Sequence, residues 1–364
     1  MSTLMDCNAQ WSTRPNDERY LSLDDMQAHF DNMRERSRAV AVSTRDVQVV
    51  PLTGNNRALR LVGPKGNGFA PTHYAFGQLA TIAGAPAGYL RTLPAPMAAD
   101  CINYGLQVNR DAEDIGLLLY SNGAPILRAA TGPRYGRIWN GGNDGVVQAL
   151  RDRFGDGVTG RFRVPGEFGQ RVDITKENTT LFAGDRDMFV FLADEENRIE
   201  VPNRRDGHSG SMARGFFVWN SEVGARTLGI KTFLFDYVCC NRIVWGANDV
   251  QTFTLRHTHS APHKFIEEVR PMLQSYANSS AANVTRAIAD ARQHRLDNVD
   301  AFLAKRFGAR MVEQVKAAHL TDEGRPIETR WDVVTAVTAH ARSIAFQDAR
   351  VDLETQAGEL LTTA

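Results

Sequence analysis

The sequence predicts an α+β fold: a mainly antiparallel sheet core with N-terminal helices and a helical C-terminal module. Three observations carry this expectation. Between residues 115 and 260, short β-type runs succeed one another, separated by Gly, Asn, Asp and Pro. One helical stretch, DGVVQALRDRFG, interrupts that series. From residue 261 the strand runs stop and helical periodicity takes over, and clustering of strands apart from helices favours α+β. The boundaries expected are an arm and helix over 1–40, an α+β core over 41–260 and a helical module over 261–364.

Residues 1–20 are polar and read as an arm. SLDDMQAHFDNMRERSR reads as a helix, with Ser22 as cap, Asp24 and Asp25 at the positive end, and Met26, Phe30 and Met33 at helical spacing. Residues 45–63 form a hairpin pattern around Gly-Asn-Asn. Thr72 caps a helix through Leu79 and Ile82, Gly84 ends it, Pro86 opens a second helix, and a third begins near Pro96. Two short helices around a glycine evoke a helix-turn-helix, but PAGYLRTLP offers only Arg91 to a phosphate or base edge, so a packed helical pair is the better reading. The strand series follows: IGLLLY, ILRAAT, GRFRVP, TTLFAG, DMFVFLAD, RGFFVWNSEV, IKTFLFDYV, RIVWG and VQTFTLRH. In the last segment Ser260 and Pro262 start a helix that Pro271 interrupts, and further helices cover roughly 299–319 and 328–360.

The 364 residues hold 42 Lys and Arg against 42 Asp and Glu, so binding to nucleic acid or an anionic membrane must come from a local patch. No apolar run reaches the roughly 18 residues of a membrane helix, and the N-terminus lacks a signal pattern. Four sparse cysteines, Cys7, Cys101, Cys239 and Cys240, do not form a disulfide framework, and a reducing cytoplasm is the expected setting. Cys239 and Cys240 are neighbours on a strand, so their thiols point to opposite faces and read as core rather than as a metal site.

No cofactor is expected: there is no G-x-x-x-x-G-K-[ST], no strand–helix G-x-G-x-x-G, no G-x-S-x-G elbow and no H-E-x-x-H. GPKGNGFAP at 63–71 reads as a loop, and GHSGS at 207–211 as a hairpin tip. His257, His259 and His263 offer three imidazoles, and Asp185, Asp187 and the run 194–196 offer carboxylates, but both sets read better as turn and edge residues than as metal ligands. The stretch 121–176 carries nine basic residues against five acidic ones, interleaved with aromatics. Arginine beside aromatic and glycine suits the tracking of a phosphate backbone and the stacking of bases. The residues picked out for this are Arg134, Tyr135, Arg137, Trp139, Arg161 and Arg163, with Arg204, Arg205 and Arg214 from the polar loop that follows.

The strings RYLSLDDM, TGPRYGRIW, EVPNRRDG, WNSEVGARTLGI, DYVCCNRIVWG and SIAFQDARVDLE resemble the bacterial phage/plasmid-like protein family across nearly the whole chain. The family has no settled activity. The resemblance implies residence on mobile DNA and raises the expectation of a nucleic-acid partner. The expected function is thus non-enzymatic binding of single-stranded DNA or phosphate backbone, with a homo-oligomer through the C-terminal helices and no membrane partner. The alternatives are a metal-dependent nuclease or phosphoesterase, and a structural or inhibitory protein acting through protein contacts.

Overall fold

The computed structural model describes residues 14–108, 114–165, 173–202, 204, 207–236, 241–243, 252–344 and 347–361. A two-residue strand, β1 (Arg19–Tyr20), leads into helix α1 (Leu23–Glu35), whose cap Ser22 accepts a hydrogen bond from the Asp25 backbone N–H at 3.0 Å. The helix ends at Glu35, three residues before the expected stop. SRAVAVS then becomes strand β2 (Ser37–Ser43), because its alternating valines fit a pleated surface and its backbone pairs with β6 (Asp114–Asn122) along its whole length.

A six-stranded sheet follows, built from β2, β3 (Gln48–Leu52), β4 (Asn55–Val62), β5 (Gly68–Pro71), β6 and β7 (Ala124–Thr131) in the order β2-β6-β7-β5-β4-β3. Only the β5–β7 pair is parallel. The three expected helices lie between β5 and β6: α2 (His73–Ile82), α3 (Ala87–Leu90) and α4 (Ala95–Val108). The Thr72 side chain caps α2 at 3.1 Å, and Gly84 provides the positive φ that lets the chain leave it. Leu79, Ile102 and Leu106 of these helices pack on Val49, Leu61, Ile115 and Leu127 of the sheet.

The second, nine-stranded sheet collects β1, β8 (Phe162–Arg163), β9 (Leu181–Ala183), β10 (Met188–Asp194), β11 (Ile199–Val201), β12 (Gly210–Asn220), β13 (Leu228–Asp236), β14 (Asn241–Ile243) and β15 (Thr252–Leu255), all antiparallel. One face carries Leu181, Val190, Leu192, Phe216 and Ile230 against α1 and α5 (Val146–Phe154). The other carries a row of aromatics, Phe182, Phe189, Phe191, Phe217, Phe233 and Phe235. Burying each such ring is worth about 2–3 kcal/mol.

The C-terminal helices are α6 (Ala261–Lys264), α7 (Arg270–Asn278), α8 (Ala282–Gln293), α9 (Val299–Phe307), α10 (Val312–Glu323), α11 (Arg330–Ala341) and α12 (Gln347–Glu359). Between α6 and α7 a π-type turn spans Phe265–Val269. Pro271 has no N–H to offer the carbonyl four residues back, and the helix widens there instead of breaking. Phe265, Val269, Leu273 and Tyr276 belong to the core of the nine-stranded sheet. The remaining helices close a core around Trp331 that also takes Ile199, Val201, Met212 and Leu234 from the sheet. The helices after residue 260 therefore share their hydrophobic cores with the strands before it. The fold is α+β, and among the described residues no helix is long and apolar enough to cross a membrane.

Candidate nucleic-acid interface

The loop between β7 and α5 contains the expected Arg134, Tyr135, Arg137 and Trp139. Here the structure assembles an internal stack. The Arg137 guanidinium lies 5.2 Å from the centre of the Tyr135 ring and 5.7 Å from that of Trp139, and Arg34 lies 5.3 Å from the same Trp139 ring. His257 stacks on Tyr135 at 4.9 Å. The Tyr135 hydroxyl donates to the Ser221 carbonyl at 2.8 Å, and Arg137 donates to the Glu222 carbonyl. Burial pushes the Tyr135 hydroxyl well above its ordinary range, so the ring stays neutral. These contacts tie the loop to the β12–β13 turn. Gly136 is required at its centre, because a Cβ there would overlap the Thr258 carbonyl. Of the four residues, only Arg134 is exposed.

The other expected arginines lie elsewhere and are engaged. Arg161 grips Asp194 at 2.5 Å, and Arg214, nearly buried, meets the same carboxylate at 3.3 Å and Ser279 at 2.7 Å. Burial tends to raise the Asp194 pKa, but the hydrogen bonds from Arg161 and Asn197 outweigh it and hold the carboxyl below its ordinary range. Arg163 is half-buried and donates to the Gly160 carbonyl at 3.2 Å. Arg204 is 2% exposed and bound by Asp236 at 2.8 Å and by Glu323. A guanidinium placed this way has no face left for a phosphate. Arg205 lies outside the described residues, as do Cys7, Cys239 and Cys240; Cys101 is an exposed thiol on α4. The eight described residues thus divide among separate places and do not form one surface.

The acidic and histidine clusters are dispersed as well. Asp187 is held by Arg14 at 2.7 Å and Arg226 at 3.0 Å, while Asp185 is exposed. The His257 ring nitrogen Nδ1 lies 3.1 Å from the Gly136 carbonyl, and His263 pairs with Glu267 at 2.8 Å. Among the described residues, no three His, Cys, Asp or Glu side chains are arranged to hold a metal ion.

A different surface brings together cations that meet no carboxylate among the described residues. The six-stranded sheet encloses a groove of about 720 Å³ between β2–β6 and the β4–β5 hairpin. Arg36, Arg38, Arg60 and Lys65 line it, all exposed, and among the described residues no Asp or Glu lines it. Val40, Val42, Leu117, Leu119 and Phe69 give it an apolar lining. The strand register explains the pattern. Arg38, Val40 and Val42 alternate on one face of β2, opposite Leu119, Leu117 and Ile115 of β6, so the arginine stands at the mouth and the valines line the interior. Arg36 continues the ladder through its carbonyl, which accepts from Ser121 N–H at 3.1 Å, and its guanidinium bonds the Asn122 side chain. Across the groove Phe69 pairs with Leu61, and Arg60 lies over Gly68, where a Cβ would meet its Cδ at 3.3 Å. The glycine-rich turn, with Gly66 at φ 77°, presents Lys65. Among the described residues none of these four cations is paired with a carboxylate.

Residues 167–360 match the model of a family described as a domain of unknown function, DUF932. The chain belongs to this family. No curated protein and no solved structure matches it. The DUF932 segment runs from the nine-stranded sheet into the C-terminal helices, and it includes the buried Arg204–Asp236–Glu323 cluster that joins them. The groove lies wholly in the part that precedes the DUF932 segment.

Proposed function

We propose that this DUF932 protein binds single-stranded nucleic acid in the groove of its six-stranded sheet and catalyses no reaction on it. The observation that carries this reading is a concave surface lined by four exposed cations, with no carboxylate among its described lining residues, over an apolar lining that includes Phe69. Cations on a rim hold phosphates, and rings and aliphatic side chains below them accept unpaired bases. In a protein of zero net charge this is the local patch that nucleic-acid binding requires. The resemblance to phage and plasmid proteins fits a role in handling exposed strands of mobile DNA. A hydrolase has less support, because Asp187, its best carboxylate, is committed to Arg14 and Arg226. Anisotropy of a labelled oligonucleotide, titrated with the full chain at low salt, tests the proposal. Binding that Arg38→Glu with Arg60→Glu strongly weakens supports it, and an unbound oligonucleotide overturns it.

A further inference from the structure

A second concave surface lies away from the groove, where α2 and α3 meet the Gly132–Tyr135 loop and the turn after β15. It consists of two adjoining cavities of about 460 and 660 Å³ that share Gly132 as a wall. Three arginines from three separate elements line it: Arg91 at the end of α3, Arg134 in the loop, and Arg186 in the β9–β10 turn. Among the described residues no Asp or Glu lines either cavity. Arg134 is exposed and has no ion-pair partner among the described residues. Arg186 meets Asp185 only loosely, at 3.9 Å, with both side chains about half exposed. Arg91 spends one nitrogen on the His73 carbonyl at 2.9 Å. Arg91 and Arg186 line the smaller cavity and Arg134 the larger. Arginines without a carboxylate beside them suit a dianionic phosphate, which accepts charge-assisted hydrogen bonds from several directions at once. The rest of the wall includes the Tyr74 ring, Ile82 and Pro133, and Arg186 lies 5.8 Å from the centre of that ring. Adjoining cavities of this size, lined by both apolar and cationic side chains, fit a ligand of nucleotide dimensions.

We propose that this crease binds a phosphate monoester of nucleotide size, independently of the groove. The same chemistry is offered by a free mononucleotide and by the 5′-phosphorylated end of a strand. Calorimetry on the full chain with AMP as probe, and anisotropy with a ten-nucleotide strand bearing either a 5′-phosphate or a 5′-hydroxyl, separate the two. Loss of two charge-assisted contacts in Arg134→Ala with Arg186→Ala should weaken the ligand roughly tenfold or more. Arg38→Glu with Arg60→Glu, in the groove, should leave AMP binding unchanged. Saturable AMP binding lost in the crease variant identifies a free nucleotide site. A preference for the 5′-phosphate, lost in the same variant, identifies a strand-end site. If AMP gives no saturable binding and the two strands bind alike, or if the crease variant changes neither, the proposal is wrong whether or not the groove binds nucleic acid. All the substituted side chains are exposed, and unchanged circular dichroism confirms that the variants fold.

Discussion

Glu222 receives Arg128 in the interior, at 2.9 Å, with 2% and 6% of the two side chains exposed. The second oxygen of Glu222 accepts the Asn140 backbone N–H at 2.8 Å, and its main-chain carbonyl accepts Arg137. One residue of the β12–β13 turn therefore anchors a strand of one sheet, the long loop before α5 and the aromatic stack. Removing one partner of a buried pair leaves the other charged without compensation, at a cost of about 3–5 kcal/mol. Glu222→Ala should lower the urea midpoint accordingly, and Arg128→Ala in that background should add little. A loss below about 1 kcal/mol would show that the pair is not the joint between the sheets.

Arg137 is sandwiched by contacts within the protein. Arg137→Ala should cost about 1–2 kcal/mol of stability through the lost cation–π contacts, with no change in oligonucleotide affinity. Parallel urea and anisotropy titrations check this. A variant of full stability that no longer binds would return the stack to the binding surface.

His319 on α10 is fully buried, and burial holds its pKa below the ordinary imidazole value, against the pull of Asp332 and Glu323 and with the push of Arg325 and Arg204. A pKa lowered by folding means that the unfolded chain binds the proton more tightly. The contribution to stability is full above about pH 6.5 and is lost as pH falls through the folded value. The urea midpoint should be lower at pH 5 than at pH 7.5, and the difference should shrink in His319→Gln. Equal differences in the two proteins would assign the acid sensitivity elsewhere.

Cutting the chain at residue 260 removes Phe265, Val269 and Leu273 from one core and the whole partner of Ile199, Val201 and Met212 from another. Such a fragment should show no cooperative thermal transition. A sharp transition near that of the full chain would mean that the strands fold without the helices.

The order of helices and strands was legible because periodicity and turn residues are local signals. Thr72, Gly84 and Pro86 act where the sequence places them. The end of α1 was not legible, because the conversion of SRAVAVS into β2 depends on β6, about 75 residues later. The binding surface was least legible. Arg204 sits in a polar loop that looks like a hairpin tip, yet it turns inward to Glu323, 119 residues away. Conversely, Arg36, Arg38, Arg60 and Lys65 are unremarkable singly, and only the folding of their strands into one sheet gathers them around one groove. A run of basic residues in sequence says nothing about which carboxylates will meet them, and in this neutral chain most of the run at 121–176 is spent on internal contacts.

The groove is tested most directly by the salt dependence of oligonucleotide binding to the wild type and to Arg38→Glu with Arg60→Glu. Each phosphate contact on a single strand contributes about −0.7 to the slope of log K against log[salt], so four cations predict a slope near −3. The double variant should bind weakly with a slope roughly half as steep. Equal affinity and slope in the two proteins would contradict the assignment of the groove as the nucleic-acid site.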